Sequence, residues 1–358
     1  MTAPVPGRLW FVLPGSLDAT TGGTIYDRRV VDALRGMDRE VEVVELPGRF
    51  PEPDAAAQAA AEAAFAAIPD GACTVVDGLA LGALPGLAER ASARLSLVGL
   101  VHHPLCDETG VPEARRARLL ASERRALAGA RCVVVTSAFT RTRLAELGLV
   151  PSSVGRVSVA EPGVDAADLA PVRPAGTRWS LVSVGAVTPR KAHADALRAL
   201  ERVRDLDWTW TAIGRLDQDS AAAGSVAALA RSLDLDDRVT FTGRLDRADV
   251  DDRLGRAHVF LHPARYEGYG MAVAEALARG LPVVASRGGA LRRTVPADAG
   301  LLVEPGDVDA LAAALRRVLT SEDTYRGMRA GAAAARAGLR RWEATASDLA
   351  RALAEVRT

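Results

Sequence analysis

The stretch Arg265-Tyr266-Glu267-Gly268-Tyr269-Gly270-Met271-Ala272-Val273-Ala274-Glu275, followed by Ala276-Leu277-Ala278 and the strand-like Leu281-Pro282-Val283-Val284-Ala285-Ser286, decides how the rest of the chain reads. An Ala-rich segment follows a glycine turn, so a helix is expected to start near Gly270. The first free N–H groups of such a helix, with the positive end of its dipole behind them, favour phosphate or sugar oxygens. Glu267 precedes the start and Glu275 lies inside the helix. At about 1.5 Å per residue the two carboxylates would stand roughly 10 Å apart. That span suits two hydroxyl-rich groups with a diphosphate between them.

Outward from this stretch, short apolar runs alternate with helical segments, the pattern of parallel sheets wrapped by helices. In the first half, strands are expected at Leu9–Leu13, Val41–Glu45, Cys73–Val76, Leu97–Val101, Cys132–Thr136 and Arg156–Ala160. The alternation restarts with Ser180–Val184, Trp208–Ile213, Val239–Thr242, Val259–His262, Val283–Ala285 and Leu301–Val303. A Pro-containing linker near 165–178 separates two α/β sheets, giving domains 1–170 and 171–339. The Ala-rich run Ala55–Ala67, bounded by Pro53 and Pro69, reads as helix.

Composition narrows the function. A chain of 358 residues has room for two cores, and formal net charge +0 with pI about 7.0 carries no bias toward polyanions, so nucleic acid is not an expected partner. Cys73, Cys106 and Cys132 share no metal-ligand spacing and are odd in number, which fits a reducing cytoplasm. The apolar run Leu9 to Leu13 is too short for a signal or a membrane span. No Asp-x-Asp or Cys/His ligand set is expected at a strand end, so neither metal nor cofactor is expected. A helix from Pro112 to Ala128 carries Arg115, Arg116, Arg118, Arg124 and Arg125. Such a face could touch anionic headgroups, although a solvated surface is its ordinary meaning.

In open α/β sheets ligands bind beyond the C-terminal strand ends, so the loops there are the place to look. After the first strand, Gly22 and Gly23 open a helix where an absent Cβ lets backbone approach a ligand closely. After the strand ending at Val101 stands His102-His103-Pro104, and an imidazole there can exchange hydrogen bonds with a hydroxyl near neutral pH. After Val184, the run Gly185-Ala186-Val187-Thr188-Pro189-Arg190-Lys191-Ala192-His193 is expected to open a helix. Two cations at a helix start are electrostatically disfavoured unless an anion binds, and Arg190 and Lys191 could neutralise a diphosphate.

The Glu267/Glu275 spacing resembles the E-x7-E motif of the family 4 retaining glycosyltransferases, enzymes of the GT-B fold that use nucleotide diphosphate sugars. The run from Gly185 resembles that family's G-R-x-x-P-x-K-G pattern, with Ala186 in place of the arginine and Ala192 in place of the second glycine. Val135-Thr136-Ser137-Ala138-Phe139-Thr140, Glu161-Pro162-Gly163-Val164-Asp165 and Phe241-Thr242-Gly243-Arg244-Leu245 resemble further segments of the family, and the resemblance covers about residues 9–320.

It implies two Rossmann-like parallel-sheet domains facing each other across a cleft, with a C-terminal helix, about 340–358, crossing back to the first. The N-terminal domain would take a small-molecule, glycan or lipid-linked acceptor, and the C-terminal domain a UDP- or GDP-sugar. By resemblance, His103 is favoured over His102 as the group near the sugar, Lys191 neutralises the diphosphate and Glu267 orients sugar hydroxyls, while Arg190 stands in for the charge that Ala186 leaves missing. Gly22 and Gly23 would face the donor diphosphate and the acceptor, Gly268, Gly270, Met271 and Ala272 would meet diphosphate or sugar, Gly243, Arg244 and Leu245 the base, and Glu275 the ribose. The expected reaction is metal-independent transfer with retention, the leaving phosphate assisting front-face attack. A sugar-nucleotide epimerase or a binding protein that lost catalysis are the alternatives.

Overall fold

The structure is a computed structural model and describes residues 8–150 and 157–356. The chain divides into two compact units: Met1–Gly163 with Arg340–Thr358, and Val164–Leu339.

Unit 1 begins β1 (Leu9–Pro14), α1 (Gly22–Arg35), β2 (Val41–Leu46), α2 (Ala55–Ala66) and β3 (Cys73–Asp77). It continues through α3 (Gly78–Ala83), α4 (Pro85–Ser92), β4 (Ser96–Val101), α5 (Glu113–Ala128), β5 (Cys132–Val135), α6 (Ala138–Glu146) and β6 (Val157–Val159). Its six strands lie in the order β2-β1-β3-β4-β5-β6, all parallel, with Leu9 opposite both Val41 and Cys73. Val, Leu and Cys dominate β3, β4 and β5 because helices cover both faces of a parallel sheet. Arg156, expected at the start of the sixth strand, lies outside the described residues.

Unit 2 runs β7 (Trp179–Val184), α7 (His193–Glu201), β8 (Trp208–Ile213), α8 (Ser220–Ser232), β9 (Val239–Gly243), α9 (Arg247–Arg256) and β10 (Val259–His262). There follow α10 (Met271–Ala278), β11 (Val283–Ser286), α11 (Leu291–Thr294), β12 (Gly300–Val303), α12 (Val308–Thr320) and α13 (Glu322–Ala335). The parallel order is β12-β11-β10-β7-β8-β9. Trp208 and Trp210 are fully buried in its core with Leu181, Leu197, Leu261 and Leu315.

The last helix, α14 (Trp342–Glu355), belongs to unit 1 and packs on α1. Trp342 meets Tyr26 edge-on at 5.8 Å between ring centroids, and the Thr345 hydroxyl donates to the Glu161 carbonyl at 2.7 Å. A Cβ at Gly163 would lie 2.3 Å from the Trp342 nitrogen, so only glycine allows this approach.

Each sheet has one place where the strand order reverses direction, between β1 and β3 in unit 1 and between β7 and β10 in unit 2. Loops leaving two such strands diverge to opposite sides and open a crevice at their C-terminal ends.

Candidate functional site

In unit 2 the loops after β7 and β10 meet at this reversal. The backbone N–H of Arg265 donates to the Arg190 carbonyl at 2.8 Å, tying one loop to the other. Pro189–Lys191 is a short 3-10 turn, Ala192 adopts the left-handed conformation at φ 54°, and α7 begins only at His193. This corrects the expectation that Arg190 and Lys191 open a helix: both precede it, in a 3-10 turn before the Ala192 cap.

Their side chains converge on Glu267. Lys191 Nζ donates to Glu267 Oε1 at 2.5 Å, His262 Nε2 reaches the same oxygen at 2.9 Å, and Arg190 Nη1 stands 3.7 Å from Oε2 while donating to the Tyr266 carbonyl at 3.0 Å. Glu267 is only 7% exposed. Burial alone would push its carboxyl up, but Lys191, His262 and Arg190 outweigh burial and hold it well below the usual carboxylate range. Burial lowers His193, two residues after Lys191, to about 3, and Lys191 and His262 act in the same direction.

The Glu267 loop is braced from behind by Gly288 and Gly289. The Ala290 N–H donates to the Glu267 carbonyl at 2.9 Å, and a Cβ at Gly289, where φ is +64°, would sit 2.2 Å from that carbonyl oxygen. Arg265 turns away to Asp195 of α7 at 3.0 Å. Past Gly268, Gly270 caps α10 at φ 96° without a side-chain cap, and Met271 and Ala272 supply the first turn. Leu291 fills the space where a Cβ of residue 270 would stand, 2.5 Å away.

Glu275 does not share the Glu267 partners. Its carboxylate pairs with Arg247 of α9 at 2.9 Å. Gly243, at φ +71°, accepts the Gly214 N–H at 3.0 Å, Arg244 lies close enough to act on the Asp217 carboxyl, and Leu245 packs into the apolar cluster around Leu254 and Val273.

In unit 1, Thr21 caps α1 by accepting the Thr24 N–H at 3.2 Å, and Gly22 opens the helix. The open side of Gly23, expected to admit a ligand, is instead occupied by His102: a Cβ there would lie 3.3 Å from His102 Cδ2. His102 Nε2 stands 3.2 Å from Asp27 Oδ1 and 3.1 Å from Asp77 Oδ2, and Tyr26 meets the ring edge-on at 5.1 Å. Burial and the Asp77 charge raise Asp27 to about 7; burial lowers His102, but the two carboxylates outweigh it and raise it to about 10. His103 Nε2 lies 3.8 Å from Glu108 and its side chain is the more exposed of the two histidines, 29% against 19%. Among the described residues, Asp27, Asp77 and His102 form one group whose ligand atoms, within 4.8 Å of one another, could hold a cation. The group is neither an Asp-x-Asp pair nor a Cys/His set, and its Asp27 stands inside α1 while Asp77 ends β3.

The arginines of α5 largely meet unit 1 itself. Arg115 pairs with Glu52 at 2.9 Å, Arg125 with Glu89 at 2.9 Å and Arg116 with Glu113 at 3.7 Å, while Arg124 donates to the Leu147 and Gly148 carbonyls. Among the described residues no helix is long and apolar enough to cross a membrane.

Sequence reasoning passed over His262, Arg247, Asp27 and Asp77. His262 had a signal, a lone polar residue closing an apolar strand at the reversal point. Asp27 lies 75 positions from His102, so no spacing pattern could join them.

Residues 167–335 match the family Glycosyl transferases group 1. O-antigen chain mannosyltransferase B of Escherichia coli is 38% identical over 87 residues, 24% of this chain and 22% of that protein. MMP alpha-(1->4)-mannosyltransferase of Mycolicibacterium hassiacum is 47% identical over 70 residues, 19% of this chain and 17% of that protein. The chain thus spans about a fifth of the length of these relatives. The structure resembles sucrose-phosphate synthase from Thermosynechococcus elongatus at TM-score 0.79 and 22% identity, covering 96% of this chain and 98% of that one. It also resembles Anabaena Alr3699/HepE in complex with UDP-glucose at TM-score 0.75 and 18% identity, covering 97% and 99%. The chain has the two-domain GT-B fold, and most of unit 2 matches the Glycosyl transferases group 1 family.

Proposed function

We propose that this protein is a retaining glycosyltransferase that moves a hexose from a UDP- or GDP-sugar to an acceptor hydroxyl without a metal ion. The observation that carries this reading is the convergence of Lys191 and Arg190 on buried Glu267, beside the uncapped start of α10. A diphosphate placed there meets two cations and the N–H groups of Met271 and Ala272, which stabilise charge as the leaving group departs. Glu267, held ionised, accepts hydrogen bonds from sugar hydroxyls. Glu275 takes the ribose diol, with Arg247 releasing it or bridging to it, and backbone from Gly243 to Leu245 takes the base. Unit 1 takes the acceptor, with His103 as the more exposed of its two histidines. The resemblance to a protein bound to UDP-glucose, and the local identity to mannosyltransferases, support a UDP- or GDP-sugar as donor.

Front-face attack needs no protein nucleophile, because the departing phosphate can take the acceptor proton. The test is incubation with UDP- and GDP-hexoses in excess chelator, following nucleotide release and the anomeric configuration of the sugar product by NMR. Release of nucleotide with the donor's α configuration kept is the expected result. Inverted product, or turnover abolished by chelator and restored by magnesium or manganese, contradicts it.

A further inference from the structure

Glu267 has a second close partner that its pairing with Lys191 does not explain. His262 ends β10, is 3% exposed, and brings Nε2 to 2.9 Å from Glu267 Oε1. Its ring lies nearly parallel to Phe260, with 17° between the planes and 5.7 Å between centroids, so the imidazole is fixed against the sheet. Burial lowers its pKa; Glu267 pulls it up, Lys191 and Arg190 push it down, and His193 is near enough to feel its charge. The net direction is down, which leaves a neutral ring whose one proton can sit on Nε2.

We propose that His262 is a positioning residue for the sugar-binding carboxylate: its Nε2–H keeps Glu267 in place when a diphosphate draws Lys191 and Arg190 toward itself. The inference rests on the donor-site reading above. In the free protein the cations compensate the carboxylate, and a bound diphosphate competes for those same cations. Lys191, a point charge on a flexible stem, can follow the phosphate. A buried carboxylate that loses its donors either moves toward water or takes up a proton, and in both cases stops accepting from sugar hydroxyls in a set geometry. An uncharged donor is not drawn off by the phosphate, and a ring stacked on Phe260 does not swing. His262 therefore separates holding the sugar from neutralising the diphosphate.

Calorimetric titration of the whole chain with UDP, UDP-glucose, GDP and GDP-mannose separates the two roles. His262→Phe, which keeps a planar ring but no donor, should weaken nucleotide-sugar binding about tenfold while leaving the matching nucleoside diphosphate within about threefold. His262→Gln, whose amide N–H can reach the same place, should restore the sugar contribution, and His262→Asn, too short to reach, should not. If the Phe variant does not fold, the Gln and Asn pair decides. Independently of any ligand, ¹⁵N NMR of the wild-type imidazole should show the neutral tautomer protonated at Nε2. An Nδ1-protonated ring, or an Asn or Phe variant that keeps the wild-type preference for nucleotide sugar over nucleotide, overturns the inference. Wild-type protein that binds neither UDP nor GDP overturns the donor-site reading itself.

Discussion

Lys191 is the only lysine in the chain; every other basic side chain apart from the histidines is arginine. Its stem lies across Gly185, where a Cβ would come within 3.1 Å of Lys191 Cε, and its ammonium meets Glu267. A planar guanidinium fork needs more room and a different approach than a compact ammonium. Lys191→Ala should cut kcat/KM for a nucleotide sugar about 10²-fold, roughly 2.7 kcal/mol of transition-state stabilisation, and Lys191→Arg should recover less than half of that loss. Steady-state kinetics of the two variants check this, and a fully active Lys191→Arg would show that any cation serves. Another residue is exposed to pH. Glu123 is buried with Oε2 accepting the Leu105 N–H at 3.0 Å and Oε1 unpaired, and burial raises its carboxyl to about 8. The folded state therefore holds a proton that the unfolded state has released above its ordinary value, so this group costs stability increasingly as pH rises from about 4.5 to 8. Glu123→Gln should remove that dependence and stabilise the protein by about 1–3 kcal/mol at pH 8 and above. Thermal melts from pH 5 to 9 check it; parallel curves for the two proteins would contradict it.

At the scale of elements, the twelve strands fall within one residue of the spans expected from their apolar runs, Arg156 aside, because parallel strands buried on both faces carry an unbroken hydrophobic signal. The helix after Gly270 was equally legible, since a glycine before an Ala-rich run marks a start. The turn that carries Arg190 and Lys191 was not, because a 3-10 turn followed by a left-handed residue leaves no periodicity to read. Its cost is visible at Ala192, a non-glycine residue at φ 54° where the resembled pattern has glycine. A Cβ in that conformation is strained by about 1–2 kcal/mol, partly offset by the greater freedom of glycine in the unfolded chain. Ala192→Gly should therefore raise stability by about 0.5–1 kcal/mol without lowering nucleotide-sugar turnover. Chemical denaturation measures the first; a destabilised variant would mean that the turn depends on the Ala192 methyl, which is buried.

Across the molecule, two sheets of the same kind each reverse strand order once, and both groups of functional candidates gather at those reversals. The sequence pointed to the loops after β7 and β10, and Glu267, Lys191 and Arg190 do lie together there. It could not show that Glu267 and Glu275 have different partners, or that Asp27, Asp77 and His102 assemble from α1, β3 and the loop after β4, because those contacts join residues far apart in the chain. That unit 2 holds a nucleoside diphosphate on Lys191 is tested most directly by calorimetric titration of the wild-type chain and Lys191→Ala with UDP, GDP and ADP in excess chelator. UDP or GDP should bind the wild type with 1:1 stoichiometry, and Lys191→Ala should weaken that binding about tenfold or more, roughly 1.4 kcal/mol. Binding of none of them, or equal binding by the two proteins, would contradict the placement of the diphosphate.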